Sequence, residues 1–129
     1  MNSRALNHIA LVSRLLLGFL FVYHGLVPKV LWLSAVEIEL LTASGLALRA
    51  EVFSPLAGIA EIILGCFIIV LNRSIFPVYI AAFSLMLLLA YVAFASPQLL
   101  VEAFNPVTTN IMGLGFCYII LLIYRQQKV

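Results

Sequence analysis

The chain has 129 residues, 65% of them apolar and 9% charged; a soluble domain runs at roughly 45–50% and 25%, so no water-facing surface can be assembled and the sequence reads as a membrane protein. A formal net charge of +2 provides no basic stripe and excludes nucleic acid as a partner. Two cysteines in separate apolar runs make neither a zinc site nor a disulfide framework.

A bilayer core about 30 Å thick takes around 20 apolar residues in helix, and four stretches qualify as spans. The first, residues 9–27, stops at Pro28-Lys29. It exceeds the roughly 7–15 residues of a signal-peptide core and has no small-x-small cleavage site, so it is expected to stay as helix 1. Residues 28–54 follow. They are too apolar for a polar loop, with Val30-Leu31-Trp32-Leu33, Leu40-Leu41 and Leu46 to Leu48, yet Glu37, Glu39 and Gly45 interrupt them too often to span. An interfacial or re-entrant segment is expected there, with Trp32 at headgroup level. The second span, residues 55–71, places Pro55 in the first helical turn, where its missing N–H costs nothing. The third, residues 75–95, runs without a charge to Ser96-Pro97, and the fourth, residues 107–124, follows the Asn105-Pro106 turn. Helix is the only form in which such spans satisfy their backbones. The fold class is therefore all-α, a polytopic four-transmembrane-helix bundle forming a single membrane domain over residues 1–129.

Four spans put both termini on one side. Arg4, Arg73, Arg125 and Lys128 fall there, against Lys29 and Arg49 on the other, so the positive-inside rule places both termini in the cytoplasm.

Two charges fall inside spans, each costing roughly 2.5–3.5 kcal/mol at a helix centre. Arg14 shares a helical stripe with Gly18, Phe21 and Gly25, while Glu61 lies between Gly58 and Gly65; glycines so spaced mark close helix approach. The expectation is an Arg14–Glu61 ion pair between helices 1 and 2, with His24 as a second candidate partner for Glu61. Such a pair serves either as a registry device or as a proton or ligand site. Asn110, Gly113 and Cys117 put the polar stripe of helix 4 into the same interior, where Asn110 would make an interhelical hydrogen bond. Ser84 and Tyr91 form the matching face of helix 3. Cys66 and Cys117 lie at similar depth and could meet, although small buried hydrophobes are the plainer reading. His24, Lys29 and Asn110, with Tyr23 and Trp32 as aromatic edges, nominate a ligand site at the outer ends of helices 1 and 4. Glu37 could fold back over it and neutralise Lys29. The plainer roles are snorkelling for Lys29, an interfacial hydrogen bond for His24 and a solvated carboxylate for Glu37.

The run Arg14 to Lys29, RLLLGFLFVYHGLVPK, together with Glu37, Gly58-x-x-Glu61-x-x-x-Gly65 and Asn105-Pro106-x-x-x-Asn110, resembles the DoxX-like membrane proteins. The resemblance covers most of the chain. It implies a compact four-helix bundle in the bacterial inner (cytoplasmic) membrane and, for function, association with quinone-linked oxidation, with membrane oxidoreductase assemblies or with maturation of redox enzymes. The candidate partners are then the lipid bilayer, a membrane or redox protein, and a second copy of the chain. The residues themselves carry no CxxC, no CxxCH and no pair of mid-span histidines for haem, and no motif assigns a metal or a reaction. A quinone needs only hydrogen-bond donors at the end of an apolar cleft, which Arg14, His24, Lys29 and Asn110 could supply. The leading expectation is an accessory or quinone-linked subunit of a membrane oxidoreductase system. The alternatives are a structural or assembly protein without small-molecule chemistry and a small proton-coupled transporter using Glu61. A neighbouring guanidinium argues against the transporter, because it favours the charged form of a carboxylate.

Overall fold

A computed structural model describes residues 3–45 and 49–127, and among these the secondary structure is entirely helical. Helix α1 (Ser3–Gly25) runs into a π-helical turn (Leu26–Leu31), followed by the short α2 (Ala35–Ala43), α3 (Ala50–Val70), α4 (Phe76–Ala95), a 3-10 turn (Pro97–Val101) and α5 (Pro106–Gln126). Four segments of the described residues, Ser3–Leu31, Ala50–Val70, Phe76–Ala95 and Pro106–Gln126, are long and apolar enough to cross a membrane.

The first span differs from the sequence expectation at both ends, and the second at its start. Helix α1 starts at Ser3, ahead of residue 9, and Pro28 does not end it. A proline removes one N–H and crowds the carbonyl four residues back; here the helix widens around it, with the Trp32 N–H donating to the Val27 carbonyl at 3.0 Å and the Ser34 N–H to the Pro28 carbonyl at 3.0 Å. Helix α3 starts at Ala50, so Pro55 lies in its second turn rather than its first. The extension buries Ala50 and Ser54 against the bundle, which favours the extra turn. The third and fourth spans agree with the expectation to within two residues.

The tightest contact is between α1 and α3, which run antiparallel. A Cβ on Gly18 would lie 2.8 Å from the Gly65 carbonyl oxygen, and one on Gly65 would lie 2.7 Å from that of Gly18. Gly25 and Gly58 face each other still more closely one step along. In lipid, helices gain little from burying apolar surface, so such backbone contact and its dispersion energy hold them together. Helices α4 and α5 complete a core of Leu17, Phe21, Ile68, Val78, Ala81, Leu85, Cys117 and Ile120. Helices α3 and α4 touch only sparsely, leaving a crevice between them.

Helix α2 occupies the place of the expected interfacial segment and closes one end of the bundle. The Ser34 hydroxyl caps it, accepting from the Glu37 N–H at 3.2 Å. Leu40 packs on Val92 and Leu99, and the Tyr91 hydroxyl donates to the Leu40 carbonyl at 2.5 Å. Gln98 also bonds Glu39. Leu46 to Leu48 lie outside the described residues. At the other end the two terminal helices meet, with Gln127 Nε2 donating to Asn7 Oδ1 at 2.6 Å.

Candidate functional site

Arg14 is buried, and its guanidinium donates to three backbone carbonyls: Ile68 at 3.0 Å, Leu71 at 3.4 Å and Ser74 at 2.8 Å. The last turn of a helix leaves carbonyls without intrahelical partners and carries the negative end of the dipole, so a cation placed there satisfies both. Arg14 therefore closes the C-terminal end of α3 and the turn into α4. The expected Arg14–Glu61 pair does not form. The glycine register is the reason: Glu61 stands beside Gly25, where a Cβ would lie 3.0 Å from the Cβ of Glu61. That is about three helical turns from Arg14, on the order of 16 Å at the helical rise.

Lys29 takes the place expected for Arg14. The π-helical turn continues the face of Gly18, Phe21 and Gly25 and brings Lys29 in against α3, where it is 8% exposed. Its Nζ lies 2.5 Å from Glu61 Oε1 and 3.7 Å from Glu37 Oε1, so the side chain turns into the bundle instead of snorkelling outward. Glu37 arrives from α2. The sequence Ser34-Ala35-Val36-Glu37 is a capping box in which the backbone half is made, while the carboxylate turns to Lys29 in place of the Ser34 N–H. The buried Ser54 hydroxyl faces the same carboxylate. Burial pushes the Glu37 carboxyl above its usual range; the Lys29 ammonium pulls against this and the Glu61 carboxylate adds to it.

Around this triad lies a cavity of about 670 Å³ at the α2 end. It brings together Tyr23 and His24 from α1, Lys29 from the π turn, Glu37 from α2, Glu61 from α3 and Asn110 from α5, under a cover of Val36, Leu40, Leu99 and Phe104. Trp32 does not reach it: at 69% exposure it points away from the bundle. Arg14 is likewise absent from its wall. Two polar atoms of wall residues are buried and unpaired, Asn110 Nδ2 and Glu61 Oε2. Asn110 is 4% exposed, and its amide nitrogen makes no interhelical bond. Buried polar atoms normally have partners, and an unpaired one costs about 1–3 kcal/mol.

A second cavity of about 610 Å³ fills the crevice between α3 and α4. Its walls are mainly apolar, from Ala57, Ala60 and Phe67 on one side and Ile80, Leu87 and Leu88 on the other, with Ser84 and Tyr91 beside them. Phe21, Lys29, Glu61, Leu85 and Leu88 line both spaces, so the Lys29–Glu61 pair stands at their junction. Cys66 is exposed on α3 while Cys117 lies in the core, and the two do not meet. The π turn and the Ser34 cap, which together position Lys29 and Glu37, were missing from the sequence reading; the capping box was the signal present for the latter.

A family model described as the DoxX-like family matches residues 18–118, a stretch that contains every polar residue named in the cavity wall and leaves out Arg14. No curated protein and no solved structure matches the chain.

Proposed function

Because the chain belongs to the DoxX-like family and carries four membrane-crossing helices, we propose that it serves a membrane oxidoreductase system as an accessory or quinone-linked subunit. In this reading the α2-end cavity holds the headgroup of a quinone-type amphiphile. The observation that carries it is the junction of the two cavities: a chamber with a few polar groups on an otherwise apolar wall, among them the unpartnered Asn110 Nδ2, adjoins a mainly apolar crevice at the Lys29–Glu61 pair. That combination of few polar anchors and a long apolar wall suits an amphiphile with an oxygenated ring and a hydrocarbon chain. When bound, such a group supplies the capacity to carry electrons and protons between membrane enzymes. The chain's own residues bind and orient. Asn110 Nδ2 donates a hydrogen bond, His24 offers a second polar contact beside Tyr23, and the Glu37–Lys29–Glu61 triad places charged groups next to the ring. The Leu40–Val92–Leu99 cluster keeps water out from above.

The same reading places both termini in the cytoplasm and the protein in the bacterial inner membrane, since Arg4, Arg73 and Arg125 mark the terminal end; Lys128 lies outside the described residues. Cysteines introduced singly beside Arg73 and at Gln98 should label from the cytoplasmic and opposite sides respectively, and reversed labelling would reject the orientation.

The binding reading is tested by thermal unfolding in detergent with and without decylubiquinone. A ligand at about 100 times its Kd stabilises by roughly 2.7 kcal/mol, which should raise the midpoint of the wild type and leave that of the His24→Leu, Asn110→Leu double variant unmoved. A double variant that fails to fold would instead give these residues a packing role, and an unshifted wild type would reject the reading.

A further inference from the structure

Resting on that reading, we propose that the cavity prefers the reduced, hydroxyl-bearing form of its ligand over the oxidised form, and that Glu61 sets this preference. Three buried side-chain atoms among the described residues lack partners: Ser54 Oγ, outside the cavity wall and facing Glu37, and two in the wall itself, Asn110 Nδ2 and Glu61 Oε2. Asn110 Nδ2 is a donor and is satisfied by any oxygen, whether a carbonyl or a hydroxyl. It therefore contributes affinity without distinguishing the two forms. Glu61 Oε2 is different. Lys29 Nζ already donates to Oε1 at 2.5 Å, which leaves Oε2 as an acceptor with no donor. A carboxylate is acceptor-only. A quinol hydroxyl supplies the missing proton donor, whereas a quinone carbonyl would set one acceptor against another and leave Oε2 unpaired.

The alternative donors do not compensate. Lys29 is engaged with Glu61 Oε1 and Glu37 Oε1, and no hydrogen bond reaches Glu61 Oε2 from the described residues. A hydrogen bond to a charged acceptor is worth enough to shift affinity by about ten-fold or more, so the preference should be measurable.

The test uses the full chain in lipid nanodiscs, incubated anaerobically with decylubiquinol or decylubiquinone. Bound ligand is extracted and quantified above empty nanodiscs. The wild type should retain the quinol about ten-fold more tightly than the quinone. Glu61→Gln, whose amide can donate as well as accept, should bring the ratio close to one while Lys29 keeps Glu37 as its counter-ion. Asn110→Leu should weaken both forms and leave the ratio standing. A wild type that binds both forms equally overturns the preference, and a ratio unchanged in Glu61→Gln overturns the role given to Glu61; either leaves the quinone-binding reading intact. Binding of neither form overturns both.

Discussion

Removing Lys29 is the most informative perturbation of the bundle, because one ammonium holds two carboxylates. At an effective dielectric of about 20, its contacts with Glu61 at 2.5 Å and Glu37 at 3.7 Å correspond to roughly 6–7 and 4–5 kcal/mol of attraction before desolvation is subtracted. The desolvation cost is of similar size, so the intact triad adds little net stability, but breaking it strands the charges that remain. Lys29→Met should therefore cost about 3–5 kcal/mol. Glu61→Leu should cost less, since Lys29 keeps Glu37. In the double variant only Glu37 remains, and its burial already favours the protonated form, so it sheds its charge at small cost. The double variant is accordingly expected to be more stable than the two single effects added together, by about 1–3 kcal/mol of coupling. Reversible unfolding in mixed micelles, followed by fluorescence of the single tryptophan, Trp32, measures all three. Strict additivity would mean that Lys29 and Glu61 act independently and that the site described here is not held by their contact.

Three further outcomes follow from the geometry. Arg14→Met should destabilise by on the order of 3 kcal/mol, because it leaves the carbonyls of Ile68 and Ser74 without a charged donor; Glu61→Gln should leave that loss unchanged if the two residues are independent. Gly25→Ala should destabilise by about 1–3 kcal/mol, since its methyl would meet the Gly58 backbone. Gly115→Ala, with open space around the new methyl, should gain up to about 1 kcal/mol from helix propensity; the same sign for both would contradict the glycine contact. For Glu37 the folded-state pKa lies above its ordinary value of 4.5, so the native state holds the proton more strongly than the unfolded chain. Its contribution is present at low pH and falls as pH rises from about 4.5 through the raised value. Unfolding midpoints of wild type minus Glu37→Gln, measured across that range, should decline, and a flat difference would refute the burial of this carboxyl.

The spans and the glycine faces were legible in the sequence because both are local patterns: apolar length in one case, three- and four-residue spacing in the other. The stripes of Gly18 and Gly25 and of Gly58 and Gly65 correctly announced that α1 and α3 touch. What they leave open is the sliding of one helix along the other, and that register decides which charge meets Glu61. Spacing within each helix left Arg14 and His24 as candidate partners for Glu61; the packing of Gly25 against Gly58 puts Lys29 there instead. Pro28 misled for a related reason. A proline ordinarily ends a helix, but one widened turn absorbed it and carried Lys29 into the interior. Glu37 was readable as the N3 residue of a capping box after Ser34, though nothing local says that its carboxylate would leave the cap for a cation eight residues earlier. His24, Lys29, Glu37 and Asn110 were grouped on position alone, and the structure brings them to one cavity; Trp32, grouped with them, faces away.

Whether this cavity holds a quinone-type ligand is read most directly from the organic extract of the protein purified from bacterial membranes with nothing added. A quinone or quinol is expected near one per chain in the wild type, and little in Asn110→Leu at equal yield and thermal stability. A wild-type extract containing only phospholipid, or equal quinone in both proteins, would contradict that expectation.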